Sequence, residues 1–108
     1  MKFLLETAYT PEAWQAQIDR PADRSAIVQQ TVASLGGRIE VSYLAMGEFE
    51  TVTVFDMPDT VAMLTFVRAV VSTQTVCRYR LTPLCSGQDG LAALRNAAAL
   101  SYPAPQRS

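Results

Sequence analysis

The strongest constraint on this chain is a pair of alternating stretches around a Gly–Glu step. From Arg38 to Met46, Ile39, Val41, Tyr43 and Ala45 alternate with Arg38, Glu40, Ser42 and Leu44. Gly47-Glu48 follows, and Phe49 to Met57 alternates again, with Val52 and Val54 on one side and Thr51, Thr53 and Phe55 on the other. Period-two alternation of β-branched and aromatic residues around a short glycine turn predicts a β-hairpin.

A strand and helical segments precede the hairpin. Phe3 to Tyr9 alternates, placing Phe3, Leu5 and Tyr9 opposite Lys2, Leu4, Glu6 and Ala8. Thr10-Pro11-Glu12 starts a helix: Thr10 can cap, Pro11 suits the first helical position, and Glu12 favours the positive helix end. Pro21 ends it. Between about Asp23 and Leu35, Ile27, Val28, Thr31, Val32 and Leu35 fall on one helical face, and Gly36-Gly37 stops the run.

A helix, a strand and a further helix follow the hairpin. Pro58-Asp59 opens a helix to about Ser72, apolar nearly all round and therefore expected to be buried on two sides. Thr75 to Thr82 alternates as a fourth strand that Pro83 ends or marks as an edge. Gly90 to Leu100 is an Ala-rich helix with Leu91, Leu94 and Ala98 as its stripe, and residues 101–108 are expected to form a flexible tail. Merging the first two helices gives βαββαβ. This predicts one α+β domain over residues 1–100: a ferredoxin-like split-βαβ sandwich with a four-stranded antiparallel sheet and helices on one face. Right-handed crossovers place the first strand between the third and the fourth.

One sheet face is then left open. Alternation assigns to it Leu4, Glu6, Ala8, Glu40, Ser42, Leu44, Thr51, Thr53, Phe55, Arg78 and Arg80. Such a mixture of apolar and charged side chains suits a second subunit, a ligand, or both. A homodimer or higher homo-oligomer is expected, with Leu4, Leu44 and Phe55 as interface residues. Glu6 should neighbour Arg78 or Arg80. Two readings stand: an ordinary cross-strand ion pair, or a charged cluster gripping an anionic or carbonyl ligand.

Composition removes several chemistries. The 108 residues contain no histidine and two cysteines, which excludes His-dependent triads and Cys/His zinc sites, so no metal or cofactor is expected. A net charge of −1 gives no bulk electrostatic footprint for nucleic acid. The apolar run Phe3-Leu4-Leu5 ends at Glu6, short of the roughly 7–15 residues of a secretory core. Val61 to Val71 is interrupted by Thr65 and Arg68 and falls short of the ~20 residues of a membrane span. A cytoplasmic protein with free thiols is expected, with Cys77 buried and Cys85 exposed.

No catalytic set is visible. Glu48 and Glu50, two apart, share a strand face if they lie on one, and form a solvated turn otherwise. Trp14 is a core or interface aromatic, or stacks on a ligand. Tyr43 and Tyr79 are expected to face the core. Glu6, Trp14, Tyr43, Arg78 and Arg80 are the ligand-binding candidates. Asp19, Arg20, Asp23 and Arg24 form a surface charge cluster or helix cap.

The order and spacing of the motifs resemble the GYD domain family over roughly residues 1 to 97. The resemblance rests on Ala8-Tyr9-Thr10-Pro11-Glu12, on Arg24 followed by Leu35-Gly36-Gly37, on Tyr43, on Gly47-Glu48-Phe49-Glu50, on Pro58-Asp59 and on Thr82-Pro83-Leu84. Phe49-Glu50 stands where the family carries Tyr-Asp, so the phenol hydroxyl is lost and the carboxylate is one methylene longer. Thr7 stands where the family tends to have Ser. The resemblance implies a ferredoxin-like fold related to dimeric α/β barrels and no particular reaction. The leading expectation is a small homo-oligomer that binds a small molecule or serves regulation or assembly. The alternatives are a cofactor-free monooxygenase- or isomerase-type enzyme using Trp14, Tyr43, Arg78 and Glu6, and a purely structural subunit.

Overall fold

Short polar side chains set most helix starts. In the computed structural model, which describes residues 1–106, the elements run β1 (Lys2–Tyr9), α1 (Pro11–Asp19), α2 (Ser25–Ser34), β2 (Arg38–Leu44), β3 (Thr51–Asp56), α3 (Thr60–Ser72), β4 (Val76–Leu84) and α4 (Gly87–Ala99). Thr10 Oγ1 accepts from Ala13 N at 3.1 Å, Asp59 Oδ1 from Ala62 N at 2.8 Å, and Ser86 Oγ from Asp89 N at 3.0 Å. Each bond satisfies one of the orphan N–H groups of a first helical turn. The Ser86 cap starts α4 at Gly87, three residues earlier than the apolar stripe suggests. Residues 100–106 have no regular secondary structure; 107 and 108, the end of the expected tail, lie outside the described residues.

The end of α2 explains its two glycines. Gly36 N–H donates to Ala33 O and Gly37 N–H to Val32 O, with Gly36 at φ 80°, a left-handed cap that glycine adopts without a Cβ penalty. A Cβ on Gly37 would lie 2.2 Å from Met57 Sδ and 2.9 Å from Asp56 O, so only glycine lets α2 end this close to the end of β3.

The sheet order is β2-β3-β1-β4, all neighbours antiparallel. β1 is central, between β3 and β4 as the crossover argument requires. β2 and β4 are the edges, and Pro83 lies on one of them. The register pairs Phe3 with Phe55, Leu5 with Thr53 and Leu5 with Leu81, which defines the face toward the helices. Phe3, Leu5, Phe55 and Met57 meet Val32 of α2 and Met63, Phe66 and Val67 of α3 in one core. Burying each such side chain stabilises the fold by about 1.5–3 kcal/mol.

Two strands differ from the simple alternation. Phe55, expected at an open-face interface, is 2% exposed and its ring lies 5.2 Å from that of Phe66. Its partner Phe3 faces the helices, so β3 presents Val52 and Val54, and neither Thr51 nor Thr53, to the open side. β2 carries a bulge between Ile39 and Val41. Ile39 faces the helices with Phe55, but beyond the extra residue the order flips. Ser42 and Leu44 pair with Thr53 and Thr51 on the helix side, so Leu44 is not an open-face interface residue. Val41 and Tyr43 pair with Val54 and Val52 on the open side, and Tyr43 is 67% exposed where a core position was expected. A second irregularity, between Ala8 and Tyr9, accompanies the burial of Ala8.

Two helices also depart from expectation. α3 buries only Met63, Phe66 and Val67, and leaves Val61, Leu64 and Val71 exposed. α4 does not join the helix layer, and none of its residues is buried. The radius of gyration is 18.2 Å, against about 13 Å for a compact chain of this length. Cys77 is exposed rather than buried, and its thiol points to the Ala8 and Tyr9 carbonyl oxygens; Cys85 is exposed.

Candidate functional site

The open face has an apolar middle and a charged cluster at each end. Leu4, Val54 and Val41 are neighbours across β1, β3 and β2. At one end Lys2 bonds Glu40, while Arg38 Nη2 reaches Asp56 Oδ2 and Glu40 Oε1 at 3.3 Å each. The N-terminal ammonium adds a contact of 3.4 Å to Asp56 Oδ1. The Asp56 carboxyl, pushed up by desolvation, is drawn further down by that ammonium, Arg38 and Lys2 and ends below its ordinary value. A hollow of about 290 Å³ at this end is lined by Met1, Gly36, Gly37, Arg38, Asp56, Met57 and Pro58. Its two charged side chains are paired with each other, and no aromatic ring lines it.

The other end is built by the β2–β3 connection. Residues 45–50 form a wider loop where a tight two-residue turn was expected. Ala45 N–H donates to Glu50 O and Glu50 N–H to Thr7 O, both at 2.8 Å. The Glu50 carboxylate accepts from Tyr9 N at 3.2 Å and from Trp14 Nε1 at 3.4 Å, and the Trp14 ring stands edge-on to Tyr9 at 5.3 Å. Burial, and then the Glu50 charge, push the Tyr9 hydroxyl above its ordinary pKa. Glu50 therefore ties the loop to α1, away from Glu48, and the two carboxylates form no acid/base pair.

Held this way, the loop lays Phe49 against the arginines of β4. Arg78 and Arg80 place their guanidinium carbons 5.3 Å and 5.1 Å from the Phe49 ring centre, a cation–π arrangement. Arg78 also donates to Glu48 O. Arg80 meets Glu6 as a two-pronged fork, Nε to Oε1 at 2.9 Å and Nη2 to Oε2 at 3.2 Å. The hydrogen bond from Arg80 holds the Glu6 carboxyl below its ordinary value, against a smaller opposing effect of burial. Bonding to Glu6 raises the Arg80 pKa in return. At neutral pH Glu6 is thus an ionised acceptor and Arg80 a cation. Beside them lies a hollow of about 250 Å³, walled by Glu6, Arg80, Phe49, Val52, Met46 and Glu48. Its walls offer an apolar shelf, a guanidinium fork and a carboxylate: the means to hold a planar molecule by its face and its oxygens.

The expected ligand residues divide accordingly. Glu6 and Arg80 line the hollow, and Arg78 flanks it through Phe49. Tyr43 lies on the same face opposite Val52. Trp14 lies apart, bonded to Glu50 at the start of α1. Phe49 and Met46 were missed as site residues because the alternation counted them as strand. Two arginines at i and i+2 on one strand, together with an aromatic two residues after a glycine in the turn, were the signal that could have found Phe49. Among the described residues there is no cluster of His, Cys, Asp and Glu fit to hold a metal ion. No helix among them is long and apolar enough to cross a membrane.

Fold and site together define a ferredoxin-like α+β domain with an uncovered, charged sheet face. The solved structure of 5-chloro-2-hydroxyhydroquinone dehydrochlorinase (TftG) from Burkholderia phenoliruptrix AC1100, in complex with 2,5-dihydroxybenzoquinone, is similar to it. The two align with a TM-score of 0.57 and 15% identity, covering 82% of this chain and 98% of that one. At that identity the likeness shows the fold. The chain belongs to the GYD domain family, whose model matches residues 3–90. No curated protein matches it by sequence. The family description assigns no reaction, so function rests on the site.

Proposed function

We propose that this protein is a cytoplasmic homo-oligomer that binds a small, planar, oxygen-bearing anion at the hollow beside Glu6, Phe49 and Arg80. The observation that carries this reading is the Arg80 fork on Glu6, set next to a Phe49 ring that two guanidiniums approach. An anionic oxygen can share or replace Glu6 on that fork, while the apolar shelf takes the ring. The structural neighbour is consistent with this, having been solved with 2,5-dihydroxybenzoquinone. Assembly is supported by the apolar middle of the open face, Leu4, Val41 and Val54, rimmed by charge in the manner of protein interfaces.

The test is a binding titration followed by NMR, using hydroxybenzoquinones, phenols and simple aromatic carboxylates as probes. Binding is expected to shift the Val52 and Met46 methyl resonances. Arg80→Ala should weaken it by about 10- to 100-fold, the worth of a lost charge-assisted hydrogen bond. Unchanged affinity in that variant would remove the site. A second reading, a cofactor-free enzyme, is favoured by the ionised Glu6 standing free to accept a proton once a ligand takes the Arg80 fork. It requires that Glu6→Gln bind ligand yet turn over nothing.

A further inference from the structure

Phe49 supplies the aromatic wall of the hollow, yet it lies in the β2–β3 loop and outside the core. Its ring is half-buried and rests on two arginine side chains that are themselves 53% and 61% exposed. Solvated side chains of that length do not fix a ring. A loop aromatic left to them divides its time among several positions, and a site built on it loses affinity by the fraction of time the ring is elsewhere.

The neighbour of Phe49 supplies the missing constraint. Both main-chain groups and both carboxylate oxygens of Glu50 are engaged. Its N–H donates to Thr7 O, its carbonyl oxygen accepts from Ala45 N, Oε2 accepts from Tyr9 N and Oε1 from Trp14 Nε1. Thr7 and Tyr9 belong to β1, the central strand, so the loop is pinned to the best-supported part of the sheet. On the other side of Phe49, Arg78 donates to Glu48 O, a softer hold because that arginine is solvated. Glu50 itself does not line the hollow.

We propose that Glu50 is a positioning residue for the ligand site: it touches no ligand and sets affinity by bracing the Phe49 ring beside Arg80. The proposal rests on the binding reading above and adds to it a residue which that reading leaves out. The brace extends the site to Trp14 at the start of α1, which contributes through its indole N–H rather than by stacking on the ligand. Preorganisation of this kind raises affinity without adding a contact.

The test is a double-mutant cycle on the full chain, read by NMR titration with benzoate. Phe49→Ala should weaken binding on the order of tenfold through loss of the aromatic wall. Glu50→Ala should weaken it about five- to tenfold when Phe49 is present, and less than about twofold when Phe49 is already alanine. Equal losses in both backgrounds would mark a general structural effect and overturn the proposal, as would unchanged affinity in Glu50→Ala. Trp14 is the single tryptophan, which gives a second readout without ligand. In Glu50→Ala its indole N–H resonance should move upfield, and nuclear Overhauser contacts between the Phe49 ring and the Arg80 side chain should weaken. An unmoved indole resonance or undiminished Phe49–Arg80 contacts overturn the brace. Glu50→Gln, of equal length and with one acceptor oxygen, takes the place of Glu50→Ala in the cycle if circular dichroism shows the alanine variant unfolded. A wild type that binds neither benzoate nor the other probes overturns the binding reading and the role of Glu50 with it; binding with an additive cycle overturns the role of Glu50 alone.

Discussion

The two faces of the sheet use similar residues to different ends. On the helix side, Phe3, Leu5 and Phe55 are sealed under α2 and α3, and the polar members Thr7, Thr51, Thr53 and Ser42 bond one another. On the open side, Leu4, Val54 and Val41 stay half-covered, and the charged residues gather at the ends. One face spends its apolar area on folding; the other keeps it for contact. Charge is what separates them: no ionised side chain enters the core, and nearly every paired one on the sheet lies on the open face.

That comparison is sharpest in its largest consequence. Phe55→Ala should cost about 3–5 kcal/mol, read from the urea unfolding midpoint, while Val54→Ala next to it should cost clearly less. Equal losses would show that the open face is buried in the folded unit. Gly37→Ala comes next. Its Cβ would strike the Asp56 carbonyl oxygen, which cannot step aside as the Met57 side chain can. A loss of about 1–3 kcal/mol is expected, with the match to wild type recoverable in part by Met57→Ala if the sulfur contact dominates. On the open face, Val41→Glu should change stability by about 0.5 kcal/mol or less and yet split the oligomer in native mass spectrometry.

The smallest effect concerns pH. Because Arg80 lowers the folded-state pKa of Glu6 beneath the ordinary 4.5, its contribution is complete above that value. It is lost as pH falls through the lowered folded-state pKa. Urea midpoints of wild type and Glu6→Gln should therefore differ modestly near neutrality and converge in acid. A gap that persists below about pH 3 would assign the difference to packing rather than to charge.

Most of the architecture was legible because strands and helices have distinct hydrophobic periods. β1, the crossovers, the order of strands and the glycine stop after α2 all follow from local pattern. The faces of β2 and β3 did not. Period two fixes sidedness only if the count is unbroken. The bulge between Ile39 and Val41 adds one residue without any glycine to announce it. In β3, Thr and Val alternate so evenly that only the long-range pairing of Phe55 with Phe3 chooses the face. The site was legible where it depended on adjacent strands, in Glu6 opposite Arg80. It was hidden where it depended on a loop path, as with Phe49 and with Glu50, whose partners Tyr9 and Trp14 are 41 and 36 residues away.

Pro83 lies in β4, an edge of the sheet, paired in register with Phe3. Having no N–H, it removes a donor from the row of backbone groups that another strand would read. The bulge in β2 does the corresponding thing at the opposite edge by breaking the spacing of its free groups. Both open rims of the sheet are thus poor templates for strand addition. Contacts between copies are thereby steered away from the sheet edges, which disfavours strand-by-strand filaments even when the protein is crowded.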